Sequence, residues 1–566
     1  MTTTTRLRIS SFLERHRMKP SRRDLLTGAS SLVVTNEAVA SVRAKPQAKT
    51  TRPVFEASWE SLKAGYQTPD WFRDAKLGIW AHWGPQCVPE FGDWYGRRMY
   101  IQGSDYYNHH VATYGHPSVH GFMDIINTWK ADKWDPERLM GLYKKAGAKY
   151  FVSMASHHDN FDNFNSKHHA WNSTKVGPKR DIVGEWAKVA REHGLRFGVS
   201  NHAAHAWLWW QTAYGYDAEG VMHGVRYDAA TRRKEDGKGK WWNGLDPQEL
   251  YTGPAGAFTP PDGLKTIKDM NAYNGRSDQW LQIPPPNNPW YAKHWLARHK
   301  DLVEQYHPDF IFMDDYVMPL GQTGLEAVAH FYNENAKWNN GLQAVVTSNG
   351  LDDEQTKALV KNVERGFSNH LRAKPWQTCT CIGQWHYDRR LYDNDGYKTA
   401  KQVIQRLIDT VSKNGTLLLS IPVRGNGEID DKEEKVLTDM AGWMEVNAEA
   451  IFETRPWDIY GEGPTRFAEG YQSEDVATGL SHEDIRFTTK AGVLYALAAE
   501  WPNAPYLTIY SMAEGSAQRK GRIGKVELLG HGPVPFELGM DGLTVKLPEA
   551  RPAFTPVLKI TGEGVI

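Results

Sequence analysis

This chain of 566 residues has few cysteines, a formal net charge of zero and few long apolar runs. Its three cysteines (Cys87, Cys379 and Cys381) are too few for a disulfide framework. The 67 Lys and Arg residues balance the 67 Asp and Glu residues, so no overall field draws the chain to nucleic acid or to an anionic membrane. With 40% hydrophobic and 24% charged residues, the composition is that of a folded protein that does not span a membrane. We therefore expect no nucleic-acid partner and no membrane partner.

Aromatic residues are abundant instead, with 23 Trp and 25 Tyr. Flat amphipathic rings suit the apolar faces of sugars, although large barrels also use Trp in packing. The length of the chain allows one large catalytic domain and a smaller companion.

The first 40 residues have the features of an export signal. Arg22 and Arg23 precede a modestly apolar run at 25–34, and the small residue Ala40 suits a cleavage position. The run is too short to span a bilayer, and no cysteine near Ala40 offers a lipid anchor. We predict a twin-arginine signal over residues 1–40, a mature protein that begins near Ser41, and a periplasmic or secreted location. An ordinary disordered basic tail is the alternative.

Short apolar runs of strand length alternate with helix-compatible sequence through the body of the chain. They lie at 77–82, 148–155, 195–201, 309–314, 343–348 and 416–422. Apolar residues recur at helical spacing over 181–193, and Gly194 ends that helix. The alternation predicts a parallel sheet and favours a (β/α)8-type barrel over residues 41–455 rather than a doubly wound sheet. Because no glycine fingerprint for a dinucleotide follows the first run, a nicotinamide enzyme is disfavoured.

Polar side chains follow nearly every one of these apolar runs. In chain order they are His82, His157, His158, Asp159, Asn201, His202, Asp314, Asp315 and Asn349. The carboxyl ends of barrel strands meet on one face, where active sites are built from several strands at once. Any one of these residues could be a cap or a satisfied buried group, but their repetition predicts one shared site.

The pattern changes after residue 455, where short β-type runs are separated by Gly, Pro and Asn. These runs predict a C-terminal β-sandwich domain over 456–566, and they lie at 484–489, 492–499, 506–511, 525–529 and 544–547. A charged amphipathic helix at 430–448 is expected to complete the barrel wall. Residues 205–262 form a long Trp-containing insertion, which is a candidate lid or subsite wall.

The residue types at the shared site favour glycoside cleavage. That reaction needs two carboxyl groups across the scissile bond, one to attack or to activate water and one to protonate the leaving oxygen. Acidic residues at a strand end, surrounded by His, Asn and Trp, fit this need, and the chain has no phosphate cradle and no clear Ser or Cys nucleophile motif. A hydrolytic zinc centre is the rival interpretation, although no close His-x-His pair lies on the first strand.

Several segments occur in an order that is typical of one enzyme family. They are 71–85 (Trp-Phe-Arg-Asp-Ala-Lys-Leu-Gly-Ile-Trp-Ala-His-Trp-Gly-Pro), 91–95, 98–100, 147–150, 157–159, 179–185, 308–314, 412–419, 447–451, 455–457 and 460–464. Over about residues 55–465 the chain resembles glycoside hydrolase family 29, the retaining α-L-fucosidases. The resemblance implies a barrel with a C-terminal β-sandwich, no cofactor and no metal, a fucosylated glycan as substrate, and double-displacement hydrolysis with net retention.

The resemblance also implies roles for individual residues. Asp314 matches the family nucleophile, and its neighbour Asp315 is the obvious competitor. Residues that contact the fucose in the family match His82, Trp94, His157 and His158.

Three departures from the family bear on the sugar pocket. Asp93, expected to bind substrate, stands where many members have Glu. Ser200 and Asn201 replace a Tyr-Tyr pair, with Asn201 expected at the substrate, and an Asp-Arg-Trp-Gly segment is absent near Asn349. A related α-L-sugar, such as an α-L-galactoside, therefore remains an alternative substrate.

The acid/base residue occupies divergent positions among family members. Glu364, which lies 50 residues after Asp314, is our candidate, since a loop past the next strand would bring it over the site. Its rivals are Asp352, Asp353 and Glu354. The family's Trp-Glu-x-Cys stretch begins here with Trp376 followed by Gln377, and a glutamine cannot protonate a leaving group, which strengthens Glu364.

The sequence thus predicts an exported retaining exo-glycosidase that releases α-L-fucose from oligo- or polysaccharides, with Asp314 and Glu364 as its catalytic pair. Three alternatives stay open: a hydrolase of a related α-L-sugar, a metal-dependent barrel hydrolase, and a glycan-binding protein without catalysis.

Overall fold

The computed structural model describes residues 54–253, 259–286, 288–551 and 554–566. The predicted export signal at 1–40 lies outside the described residues. Among the residues that are described, no helix combines the length and the apolar character that crossing a bilayer requires.

Eight parallel strands form the barrel sheet, which runs in the order β6-β5-β4-β3-β2-β1-β8-β7. The strands are β1 (Leu77–Ala81), β2 (Tyr150–Ser156), β3 (Arg196–Asn201), β4 (Phe310–Tyr316), β5 (Val345–Asn349), β6 (Val360–Lys361), β7 (Trp376–Cys381) and β8 (Gly415–Ser420). A parallel bridge between Asn362 and Gln377 joins the two end strands and closes the barrel. The predicted (β/α)8-type barrel is therefore confirmed.

In the part of the chain that the structure describes, sixteen α-helices, α1 to α16, surround and cap the strands. They are α1 (Trp59–Gly65), α2 (Asp70–Ala75), α3 (Tyr95–Arg98), α4 (Asp105–Thr113), α5 (Phe122–Thr128), α6 (Pro136–Lys145), α7 (Ile182–Glu192), α8 (Ala206–Trp209), α9 (Asp228–Thr231), α10 (Pro247–Leu250), α11 (Ile267–Asn274), α12 (Pro289–Tyr306), α13 (Gln322–Trp338), α14 (Arg389–Asp393), α15 (Ala400–Ser412) and α16 (Asp431–Asn447).

The helix predicted at 181–193 shows how the sequence produces these connections. Asp181 caps α7 by accepting a hydrogen bond from the Gly184 N–H. Ile182, Val183 and Trp186 then bury the apolar face of the helix. Gly194 follows with a φ of 73°, the left-handed conformation that ends many helices.

The barrel is filled by alternate residues of its strands. One buried cluster inside the barrel contains Trp80, Tyr150, Phe310 and Phe312. Phe72 of α2 belongs to the same cluster. Because side chains in a strand alternate between its two faces, the next inward position after Phe310 and Phe312 is Asp314. Apolar packing thus ends where the polar site begins.

Six of the barrel strands coincide with the predicted runs, while β6 and β7 were not predicted. Strand β6 is only two residues long. Strand β7 reads as polar, yet all six of its residues are buried. Its Gln377 and Thr378 hydrogen-bond to neighbouring groups, which removes the cost of burying them.

The C-terminal region forms two antiparallel sheets. Their strands are β9 (Gly461–Glu462), β10 (Ile485–Lys490), β11 (Val493–Ala498), β12 (Tyr506–Ile509), β13 (Arg522–Leu528), β14 (Gly532–Pro533), β15 (Phe536–Gly539), β16 (Gly542–Lys546) and β17 (Val557–Glu563). Six strands form one sheet in the order β14-β13-β17-β11-β10-β9, and three form the other in the order β12-β16-β15. Phe487 and Ile560 of the larger sheet share a core with Leu507 and Val545 of the smaller one, as in a β-sandwich. The division at residue 455 stays a prediction.

A buried ion cluster joins the barrel to the C-terminal region. Asp409 of α15 accepts hydrogen bonds of 2.8 Å from Lys413 Nζ and from Arg486 Nε of β10. Burial alone would raise the pKa of Asp409, but the two cations outweigh it and lower that pKa. The two parts of the chain are therefore held together by charge pairing as well as by apolar packing.

Candidate active site

A cavity of about 400 Å³ opens where the barrel strands end. Seven of the predicted site residues line it: His82, Asp93, Trp94, His157, His158, Asp314 and Glu364. They come from segments that are far apart in sequence, and the parallel barrel brings them to one face.

Asp314 and Asp315 point in different directions, which separates the two candidate nucleophiles. Asp314 lines the cavity together with Phe312 of the same strand. Asp315 does not line it, and its carboxylate accepts a 2.8 Å hydrogen bond from the Tyr316 N–H. Burial raises the pKa of Asp315 to about 8.

Asp314 is held in its charged form by two histidines. Its Oδ2 accepts a 2.8 Å hydrogen bond from His202 Nδ1 and lies 3.3 Å from His158 Nε2. His158 is oriented by its other nitrogen, since Nδ1 donates to the His202 carbonyl at 2.8 Å. Burial alone would raise the pKa of Asp314, but these histidines outweigh it and hold the pKa well below its usual range.

The pKa of Glu364 is shifted in the opposite direction from that of Asp314, namely upward. The Oε2 of Glu364 faces the Asn349 amide at 3.4 Å, and its Oε1 accepts from the Gln472 amide at 3.1 Å. Burial and the negative charge of Asp314 raise the pKa of Glu364 to about 8. At neutral pH Asp314 is therefore ionised and Glu364 is protonated.

A chain of side-chain amides leads from β7 to Glu364. The Gln377 amide donates to Asn362 Oδ1 at 3.0 Å, and the Asn362 amide donates to Asn349 Oδ1 at 2.7 Å. Asn349 in turn contacts Glu364. Gln377, the residue at the family's glutamate position, thus lies at the far end of a chain that orients the partner of Glu364.

Imidazole rings form another wall of the cavity. They belong to His82, His157, His158 and His202, and the ring of His386 lies close to two of them, His82 and His157. Both ring nitrogens of His82, and the Nε2 atoms of His202 and His386, are buried without a hydrogen-bond partner among the described residues. Burial lowers the pKa values of His82, His157 and His202, so these rings are neutral and can bind hydroxyl groups.

The same imidazoles could also hold a transition metal. In each of two overlapping groups (His82, His157 and His386; His157, His158 and His202), the potential ligand atoms lie within 4.8 Å of one another. Neutral imidazoles are suitable ligands for zinc or copper. Metal binding and hydroxyl binding would therefore compete for the same side chains.

Asp93 contacts a histidine, His386, that the sequence did not predict. Its Oδ1 accepts a 2.6 Å hydrogen bond from His386 Nδ1, and the His386 ring centroid lies 4.8 Å from that of His82. Trp94 stands nearby, edge-on to His158 at 5.6 Å between ring centroids.

Asn201 is the one predicted substrate-binding residue that does not line the cavity. Its Oδ1 accepts from the Ala203 N–H at 3.1 Å and from Trp295 Nε1 at 3.3 Å, so it supports the turn after β3 and the helix α12. The next residue, His202, takes the place beside Asp314. The sequence contained both residues at the end of the run, but the face reached by each depends on the turn that follows the strand.

The other acid/base candidates, Asp352, Asp353 and Glu354, are exposed. Glu354 pairs with Lys357 on the surface. Gln472 and Trp280, which line the cavity, were not predicted, because each lies in an irregular segment far from the barrel strands in sequence.

The chain matches two family models, and relatives align over most of its length. The Alpha-L-fucosidase model matches residues 42–449, and the Alpha-L-fucosidase C-terminal domain model matches 479–561. Tissue alpha-L-fucosidase of Rattus norvegicus is 25% identical over 511 residues, which is 89% of this chain and 90% of that protein.

Solved structures resemble the chain as well. The Thermotoga maritima alpha-fucosidase in complex with a mechanism-based inhibitor has a TM-score of 0.63 and 25% identity, covering 90% of this chain and all of that one (100%). An alpha-L-fucosidase from Bacteroides thetaiotaomicron, trapped as a covalent intermediate, has a TM-score of 0.56 at 18% identity and covers 88% of this chain and 96% of that one. At that identity the second likeness concerns the fold.

The coupling between the two carboxyl groups leads to a prediction. In the Asp314→Asn variant the pKa of Glu364 should fall below about 8, because a negative charge beside it is removed while its burial remains. A ¹³C NMR titration of carboxyl-labelled glutamate measures this pKa, and Glu364→Gln assigns the signal. Asp353→Asn, an exposed charge removed elsewhere, is the matched control. An unchanged Glu364 pKa in Asp314→Asn would contradict the coupling.

Proposed function

Because the chain belongs to the alpha-L-fucosidase family, glycoside hydrolase family 29, we propose that it releases α-L-fucose from fucosylated glycans with Asp314 as nucleophile and Glu364 as acid/base. The enzyme is a retaining glycoside hydrolase. The observation that carries the assignment of roles is the opposite ionisation of two carboxyl groups in one cavity.

In the first step Asp314 attacks the anomeric carbon of the fucoside. Its carboxylate is already ionised, because His202 and His158 stabilise the charge. As the bond from the anomeric carbon to the leaving oxygen breaks, Glu364 gives its proton to that oxygen. The products of this step are a fucosyl ester on Asp314 and a free leaving group.

In the second step Glu364, now ionised, removes a proton from water, and the water oxygen attacks the anomeric carbon. The ester bond breaks and Asp314 leaves as a carboxylate. Two inversions give net retention. Gln472 and Asn349, which donate to the Glu364 carboxyl group, keep it in position through both steps.

The imidazole wall supplies the contacts for the sugar. The partnerless nitrogens of His82 and His202, which line the cavity, can exchange hydrogen bonds with fucose hydroxyls. Trp94 offers an aromatic surface to an apolar face of the ring. These contacts would hold the anomeric carbon between Asp314 and Glu364.

Replacement of the nucleophile provides the functional test. Asp314→Ala should lower kcat/KM for nitrophenyl α-L-fucoside by at least about a thousandfold. Azide should partly restore turnover, because it fits the space left by the carboxylate, and the product should be the β-fucosyl azide. The control Asp315→Asn should retain most of the activity, since its side chain does not line the cavity. If Asp315→Asn is the variant that azide rescues, the assignment is wrong.

For location, we propose export through a twin-arginine signal, with a mature chain that begins near Ser41. Arg22 and Arg23 before the apolar run support it. Expression of the full chain with Arg22→Lys and Arg23→Lys should leave the protein in the cytoplasm, whereas the wild type reaches the periplasm. Equal distribution of the two would contradict the proposal.

A further inference from the structure

Residues 471–475, which follow the barrel in sequence, return across the mouth of the cavity. Their backbone is paired with the residues around Glu364: the Gln472 N–H donates to the Glu364 carbonyl at 2.9 Å, and the Glu474 N–H donates to the Arg365 carbonyl at 2.8 Å. The Arg365 guanidinium also pairs with Asp475. The segment is therefore fixed to the same stretch of chain that carries the acid/base residue.

This attachment places two side chains beside Glu364. Gln472 reaches the Glu364 carboxyl group, and Tyr471 lines the cavity while 45% of it remains exposed. Glu364 is close enough to raise the pKa of Tyr471, after the larger effect of burial. Tyr471 thus stands between the acid/base residue and the solvent.

Tyr471 is one end of an arc of aromatic rings. Its ring centroid lies 5.7 Å from that of Tyr316, and the Tyr316 centroid lies 6.2 Å from that of Trp280. Trp280 in turn stacks on His205, with centroids 4.4 Å apart. Each of the three rings Trp280, Tyr316 and Tyr471 is only partly buried. We call these three the aromatic rim.

We propose that the aromatic rim is the leaving-group subsite and that it takes a pyranose whose C–H face lies against the rings. This inference rests on the proposed function. The leaving oxygen must lie within hydrogen-bond reach of Glu364, since that residue gives it a proton. The sugar attached to this oxygen then extends toward the solvent, where Tyr471 stands. Aromatic rings suit the C–H face of a pyranose, because both surfaces are apolar and flat.

Three substrates distinguish the contribution of the leaving-group subsite to catalysis from that of the acid, Glu364. α-L-Fucosyl fluoride needs neither a protonated leaving group nor a ring in the subsite. Dinitrophenyl α-L-fucoside has a ring but needs no proton, and a fucosyl-galactose disaccharide needs both. Tyr471→Ala should lower kcat/KM by about tenfold for the dinitrophenyl fucoside and for the disaccharide, and leave the fluoride within about twofold.

Matched variants make the comparison specific. Tyr471→Phe keeps the ring and should restore both losses. Glu364→Gln should impair only the disaccharide in the first step, which gives the signature of a missing acid. Tyr510→Ala removes an exposed tyrosine of the C-terminal region and should resemble the wild type on all three substrates.

Other outcomes would contradict the proposal that the aromatic rim is the leaving-group subsite. A Tyr471→Ala loss restricted to the disaccharide would show that the ring acts on Glu364, and an equal loss on all three substrates would show a structural role. Wild-type kinetics in Tyr471→Ala would show that the ring contacts no leaving group. If the wild-type protein hydrolyses none of the three fucosides, the proposed function fails and the subsite fails with it.

Discussion

The negative charge on Asp314 is the constraint on which the rest of the site depends. It is stabilised by His202 and His158, and it raises the pKa of Glu364 in the same cavity. One charge therefore prepares the proposed nucleophile and the proposed acid together. His82 and His157 stay neutral because they are buried, which leaves the ring nitrogens of His82 available for hydroxyl groups rather than for pairing with Asp314.

The barrel makes this arrangement possible because it keeps apolar packing and the polar site at different levels. Its apolar interior, with Trp80, Phe310 and Phe312, ends one side-chain position below Asp314. The returning segment that carries Tyr471 and Gln472 then completes the mouth from outside the barrel. In the proposed mechanism the inner groups hold the sugar and its anomeric carbon, and the outer segment faces the part of the glycan that leaves.

The sequence was most informative where local pattern and spatial position coincide. Runs of buried apolar residues predicted most barrel strands, and polar residues after them predicted the side of the barrel on which the site lies. The pattern failed at β7, whose Gln and Thr side chains are buried but hydrogen-bonded. It also failed to distinguish Asn201 from His202, because one residue of difference in a turn changes which side chain faces the cavity. Contacts such as Asp93 with His386 and Glu364 with Gln472 join residues 293 and 108 positions apart, and no local pattern reveals them.

The most direct test of the account is to trap the covalent intermediate. The protein would be incubated with 2-fluoro-fucosyl fluoride. The fluorine at C2 slows both steps, but the anomeric fluoride is a good leaving group and lets the first step proceed, so the ester on the enzyme should accumulate. Mass spectrometry of the intact protein should show one added 2-fluoro-fucosyl group, and peptide mapping should place it on Asp314. A label on any other carboxyl group, or turnover of ordinary fucosides with no label at all, would contradict the central claim that Asp314 is the ionised nucleophile.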